Sequence, residues 1–291
     1  MSYPPSSPPS KTAALSRFRR AGACAGVLLA SATALLSAGA APAVAAPAEQ
    51  GPVTAVVQPR SQARVTAAVL GLGGAGREPV LYGQDALYDT ASIVKVDILA
   101  ALLLQAQDEG RRLTARERAL AEPMIRTSDN EATNVLWRKI GRAPGLEAAN
   151  RRLGLTSTKG GPGGKWGLTQ TTASDQIRLL RAVFGPAGTS KAHASPLNAE
   201  SRAYIQSLMS RVAKDQAWGV SAASDTEGAL KNGWLRRTTS GLWDVNSIGR
   251  ITVDGRPCLV AVLSDGSASM RDGVSLVERA ARQAVEAAAR R

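Results

Sequence analysis

The sequence has one histidine, two cysteines and 4% aromatic residues among 291 positions, and each scarcity closes off a kind of chemistry. His193 lies in a polar Gly/Ser stretch ahead of a predicted helix and reads as a loop residue, and no G-x-S-x-G elbow accompanies it. A Ser-His-Asp triad is therefore not expected. Cys24 falls in an N-terminal leader, which leaves Cys258 alone in the remainder, so neither an internal disulfide nor a cysteine metal cluster is available. The net charge of +13 suggests nucleic acid, but the basic residues are scattered and at most paired, as at Arg151-Arg152, Arg236-Arg237 and Arg290-Arg291. So few aromatic residues also offer no stacking platform for bases. No nucleic-acid partner, metal or cofactor is expected. The charge reads as general solubility with weak attraction to an anionic cell wall.

Long apolar runs are scarce too. The run from Ala21 to Leu36 is short for a membrane span. It follows a Pro/Ser-rich lead and the basic residues Lys11, Arg17, Arg19 and Arg20, and it ends in small residues with an A-x-A site at Ala43 to Ala45. Parts in that order read as a cleaved export signal over residues 1–45, and hence a secreted product. An uncleaved single anchor is the alternative. The leader holds four of the chain's 36 basic residues and none of its 23 acids, so residues 46–291 carry a net charge of +9. Residues 46–62 read as a polar linker. Residues 63–291 suffice for one large domain or two interlocked lobes, and a monomer is expected.

Val65 to Leu72 reads as a strand. Gly71 to Gly76 fits G-x-G-x-x-G, but Pro79 and a second extended run follow where a dinucleotide site needs a helix. A hairpin turn is predicted there. Ser92 to Gly110 is a predicted helix, apolar on nearly all sides and so placed in the interior. Thr114 to Glu117 forms a capping box for the next helix. Further helices are predicted over Glu131–Ile140, Pro144–Leu153, Ser174–Phe184 and Asn198–Val212. Extended segments follow at Gly228–Leu235, Trp243–Thr252 and Pro257–Ser264, the last two joined by an Asp254-Gly255 turn. Val274, Val277, Ala281, Ala284, Val285 and Ala288 then mark an amphipathic C-terminal helix. This order suggests an antiparallel sheet built from both ends of the chain, with a helical lobe inserted between them.

Three short motifs bear on chemistry. A serine enzyme without histidine needs another base, and a lysine serves if burial lowers its pKa. Ser92-Ile93-Val94-Lys95 supplies that pair, three residues apart on one helical face. The plain structural reading makes Ser92 an N-cap and Lys95 a surface residue. Yet a lysine in the first turn opposes the helix dipole, which argues for a role. Ser128-Asp129-Asn130 also reads as a cap before Glu131. Lys231-Asn232-Gly233 also reads as a turn, although Thr239-Ser240-Gly241 offers a later one and leaves Lys231 to Leu235 extended.

Taken together, the three resemble the S-x-x-K, S-D-N and K-T-G motifs of class A β-lactamases and penicillin-binding proteins. The resemblance covers roughly Val65 to Ala288, including Thr171-Thr172 leading into a helix. It implies a β-lactamase/transpeptidase-like α/β (α+β) fold, with a five-stranded antiparallel sheet flanked by helices. The α/β lobe would comprise residues 63–91 and 216–291, and the helical lobe residues 92–215. It also implies roles. Ser92 would attack a β-lactam or peptide carbonyl, with Lys95 taking its proton. Ser128 would pass a proton to the departing nitrogen, and Asn130 would bind the substrate amide. The backbone amides of Ser92 and Trp234 would form an oxyanion hole. Lys231 and Asn232, ahead of Gly233, would receive the substrate carboxylate. The expected partner is a small-molecule β-lactam or a peptidoglycan peptide.

The sequence also departs from that family. Class A β-lactamases usually carry an omega-loop glutamate that activates the deacylating water, whereas this chain has no Asp or Glu between Glu147 and Asp175. Without such a base, slow release of the acyl-enzyme is expected. Ser92 and Ser128 are only 36 residues apart, shorter than the class A norm, which implies a more open cleft suited to a stem peptide. Asn232 stands where Thr or Ser is usual, and its amide is still a donor. The arginine often found on the following strand has no counterpart near Val245-Asn246, which leaves Arg236 or Arg237 to serve. The expectation is a serine hydrolase acylated on Ser92. A D,D-peptidase and a non-catalytic cell-wall binding protein of the same fold stand as alternatives.

Overall fold

Strands that alternate apolar residues on both faces must be covered on both faces, and this requirement organises the chain. A computed structural model describes residues 63–73, 78–186 and 195–290. The leader, the linker, the first hairpin's tip and His193 lie outside the described residues.

Strands β1 (Arg64–Gly71) and β2 (Val80–Tyr82) pair antiparallel, Ala68 opposite Leu81, as the hairpin reading expected. The short β3 (Tyr88–Asp89) leads into a 3-10 turn at Ala91–Ile93. The helices α1 (Val94–Asp108), α2 (Ala115–Arg126), α3 (Asn130–Lys139) and α4 (Arg142–Leu153) follow. After a loop come β4 (Gln170–Thr171), α5 (Ala173–Phe184) and α6 (Ala199–Met209). The chain then returns to strands with β5 (Ala229–Arg236), β6 (Trp243–Val253) and β7 (Arg256–Ser267), and ends in α7 (Met270–Ala289). The five-stranded antiparallel sheet runs in the order β2-β1-β7-β6-β5, so the two ends of the chain meet at the β1–β7 ladder. Asp254 and Gly255 both take positive φ at the β6–β7 turn, the geometry of a two-residue hairpin.

Alternate residues of the sheet serve two cores. Ala68, Leu70, Ile248, Leu259, Ala261 and Leu263 face the helical lobe, while Ala67, Val69, Leu230, Val245, Val260 and Val262 face α7. Helix α1 runs through the first core, with Ile98, Leu99 and Leu102 wholly buried. Each such side chain stabilises the fold by about 1.5–3 kcal/mol.

Two features differ from expectation. The predicted Ser92–Gly110 helix opens as a 3-10 turn, and Ser92 caps nothing; Ala91 just before it sits at φ 47°. A two-strand ladder also pairs Tyr88 with Thr171 and Asp89 with Gln170, two residues a side and too short for periodicity to reveal.

Asn246 of β6 locks the segment ahead of Ser92 to the sheet. Its amide nitrogen donates to the carbonyls of Asp89 (2.9 Å) and Thr90 (3.1 Å), and its oxygen accepts from the Ser264 amide at 3.0 Å. Asn246→Ala removes all three bonds, and although the Thr90 carbonyl keeps the Ile93 amide, urea unfolding is expected to register a loss of about 2 kcal/mol.

Candidate active site

Lys95 joins the first motif to the second, and Ser128 joins both to Lys231 of the third. The Lys95 side chain is fully buried, and its Nζ lies 2.9 Å from Ser92 Oγ, 2.9 Å from Ser128 Oγ, 2.6 Å from the Ser128 carbonyl and 2.9 Å from Asn130 Oδ1. Of these four, the carbonyl and Oδ1 accept only. A neutral amine gives its two N–H groups to them and turns its lone pair toward the hydroxyls, the arrangement a base for Ser92 requires. Burial lowers the Lys95 pKa from 10.5 to about 7, with only Asp129 pulling it back up. The Asp129 carboxylate is engaged in capping α3 at the Ala132 amide.

Asp97, two residues along α1, supplies no counter-charge. Burial pushes its carboxyl up to about 8 against the pull of an Asn150 hydrogen bond, so it is largely protonated at neutral pH.

Ser128 adopts φ 59°, costly for a residue with a side chain. That backbone places its hydroxyl between two amines, since Lys231 Nζ donates to Ser128 Oγ at 3.0 Å and to the Asn232 carbonyl at 2.8 Å. Burial and the nearby Lys95 hold Lys231 well below the ordinary lysine value. Two amines sharing one hydroxyl resist being charged together.

Strand β5 is an outer strand of the sheet and lies directly against the turn that carries Ser92. A Cβ at Gly233 would stand 2.6 Å from the Ser92 nitrogen, 2.8 Å from the Ile93 nitrogen and 2.8 Å from the Thr90 carbonyl. Only glycine permits this approach. Trp234 follows, half-buried, its ring tilted against Trp218 at 6.0 Å.

Two sequence expectations need correction. Asn232 points its amide away from Lys231's face of the strand. The nitrogen donates to the Gln216 and Trp218 carbonyls, both at 2.8 Å, and the oxygen accepts from Ser247 Oγ at 2.6 Å. Buried and fully engaged, this side chain braces the strand and is not free to receive a carboxylate. Arg237 is likewise occupied, paired to Asp89 and 3.7 Å from Asp244. Arg236 remains exposed, its Nε bonded to the Gly241 carbonyl.

The loop between α4 and α5 supplies a residue that sequence reasoning missed. Trp166 places its ring 4.8 Å from Lys95 Nζ, and its indole N–H donates to Asn134 Oδ1 at 2.9 Å. Asn134 stands one turn beyond Asn130 on the same face of α3. Close packing explains the loop's glycines: a Cβ at Gly161 would stand 2.1 Å from the Lys165 carbonyl. The Gly163 carbonyl accepts from Trp137 Nε1 at 2.7 Å, and the Thr169 carbonyl accepts from the Thr90 amide at 2.8 Å.

With that geometry established, relatives can be compared. The sequence model of the beta-lactamase enzyme family matches residues 104–288. The chain belongs to that family. The match takes in Ser128 and Lys231 and begins after Ser92 and Lys95. Among curated proteins, LppW of Mycobacterium tuberculosis and of Mycobacterium bovis, named as a lipoprotein, is 31% identical over 124 residues. That stretch is 42% of this chain and spans only 39% of the relatives' length. Similar solved structures include L2 complexed with relebactam, with a TM-score of 0.63 and 18% identity over 78% of this chain and 92% of that one. A PBP-A variant in acyl-enzyme complex with penicillin G gives 0.62 and 21% identity over 80% and 92%. A class A beta-lactamase from Bacteroides cellulosilyticus gives 0.61 and 16% over 77% and 92%. At these identities the likeness establishes the fold, which is β-lactamase/transpeptidase-like.

If neutral Lys95 is the base, protonating it removes the base. Acylation of Ser92 should therefore fall about tenfold per pH unit below about 7 and level off above it. Acylation rates followed by intact mass from pH 5 to 9 test this, and a flat profile would remove Lys95 from the role.

Proposed function

We propose that this chain is an exported serine hydrolase that forms an acyl-enzyme on Ser92 with β-lactams or related acyl-D-Ala substrates and releases it slowly. The observation that carries this reading is the position of Lys95 Nζ, 2.9 Å from the hydroxyls of both Ser92 and Ser128 and without a paired carboxylate. Lys95 takes the Ser92 proton as Oγ attacks the carbonyl. The C–N bond then breaks, and Ser128, bridging Lys95 and Lys231, hands a proton to the departing nitrogen. Lys231 receives a substrate carboxylate, and Asn130, which is exposed, meets the substrate amide. The amides of Ser92 and Trp234 are the proposed oxyanion donors. Preorganised groups of this kind need no rearrangement at the moment of reaction.

The same geometry supports slow release, because an indole, which cannot take a proton from water, occupies the loop position facing Lys95. This favours D,D-peptidase chemistry on peptidoglycan stem peptides as a second reading, since both share the acylation half. Export rests on the leader, and the lipoprotein name of the LppW relatives points to the same side of the membrane.

Incubation with a penicillin, followed by intact mass beside Ser92→Ala, tests the assignment. The expected result is a lasting adduct on the wild-type protein and none on the variant. Product without an adduct means efficient turnover and overturns slow release. Neither adduct nor product overturns the hydrolase reading in favour of a cell-wall binding protein. Lys95→Ala should retain the fold and acylate about 10²–10⁴-fold more slowly.

A further inference from the structure

Trp166 touches the one residue on which both halves of an acyl-transfer reaction depend, and its chemistry suits only one of them. The indole ring lies beside Lys95 Nζ at 4.8 Å, and Nζ in turn lies 2.9 Å from Ser92 Oγ. The ring is held from two sides. Its N–H is tied to Asn134, and the neighbouring Gly167 packs on the nucleophile turn, where an added Cβ would stand 3.8 Å from Ala91 Cα.

An aromatic face attracts a cation and has no lone pair with which to take a proton from water. A carboxylate in the same place does both. The difference matters because Lys95 changes charge during the reaction.

Building on the acyl-enzyme reading above, we propose that Trp166 is a positioning residue that stabilises Lys95 as the ammonium formed during acylation while withholding the base that deacylation needs. In acylation, the Ser92 proton moves to Lys95, the Oγ–C bond forms and the C–N bond breaks. The Lys95 proton then leaves through Ser128 to the departing nitrogen. Release consumes one water. A C–O bond forms, the Oγ–C bond breaks, Ser92 regains its proton, and the product leaves as a carboxylate and a proton. That water must lose a proton as it attacks, and the ring offers no site for it.

The other charged groups facing Lys95 are Lys231 on β5 and Asp129 at the start of α3. Asp97 on α1 itself faces Asn150 and is influenced by Asp175 of α5. None of them changes in a Trp166 variant, so a shift in the acylation pH profile reports on the ring.

The test separates acylation and release rates by intact mass with a penicillin, in the wild type and in Trp166→Tyr, Trp166→Leu and Trp166→Glu, each checked by thermal melting. Trp166→Leu, bulky but without a π face, is expected to acylate about 2- to 30-fold more slowly, the span a cation–π contact covers between exposed and desolvated sites. The acid limb of its acylation profile should move to lower pH, because the ammonium loses an attraction. Trp166→Tyr should restore acylation to within about threefold. Trp166→Glu should speed release at least tenfold. Wild-type acylation rate and pH profile in Trp166→Leu, or unchanged release in Trp166→Glu, would overturn the role given to Trp166 and leave the acyl-enzyme reading intact. Should Trp166→Leu not fold, the Tyr and Glu variants decide alone. A wild-type protein that takes no adduct overturns the acyl-enzyme reading itself, and this proposal with it.

Discussion

Lys95 is a buried amine among four acceptor atoms with no carboxylate paired to it, and the rest of the site is arranged around keeping it in that condition. A lysine in water holds its proton at neutral pH. Removing it from water costs the charged form most, which is the source of its lowered pKa. The burial comes from α1, a helix with almost no polar face, which runs through the larger core. The partner atoms come from the start of α3. The same packing that drives the fold thus sets the protonation state of the group best placed to accept a proton from Ser92.

Holding the partners at hydrogen-bonding distance requires local backbone strain. Ala91 and Ser128 both lie at positive φ, each beside or within a motif. Neither has a glycine's freedom, so surrounding contacts must impose the conformation. At Ala91 those contacts are Asn246 gripping the Asp89 and Thr90 carbonyls, the Thr90–Thr169 backbone bond, and Gly233 pressed against the turn. At Ser128 they include the amide of Asp129, which reaches back to the Pro123 carbonyl at 3.1 Å, and the two lysines that share the hydroxyl. Strain concentrated beside Ser92 and at the Ser128 hydroxyl is energy that the cores offset elsewhere.

Much of this was legible in the sequence. Long periodic segments such as α1 and α7, the Thr114 capping box and the Asp254-Gly255 turn are local signals, and local signals survive folding. The meeting of Ser92, Lys95, Ser128 and Lys231 was legible only through the resemblance of their three motifs, in order, to those of class A β-lactamases and penicillin-binding proteins. Side-chain direction was not. Asn232 reads as a donor in line with Lys231, but adjacent residues of a strand face opposite ways, and the 216–218 segment beneath it binds its amide. Arg237 reads as a free cation until Asp89, 148 residues away in sequence, closes on it. Trp166 was invisible for the same reason: nothing near it in the chain hints that an indole folds over a lysine on α1.

The charge count gives the indole a further meaning. With Lys95 neutral, no carboxylate among the described residues opposes the approach of a substrate carboxylate to Lys231 in the proposed reaction. A carboxylate at the Trp166 position would repel an incoming anion, or force Lys95 into its protonated form and cost it the role of base. Lacking an acid, the loop leaves the base free and the cleft attractive to anions. What it gives up is a partner for the water that ends the cycle. Under the proposed reaction, a site that captures acyl groups readily and parts with them slowly is the natural consequence of one aromatic ring standing where an acid would otherwise balance two lysines.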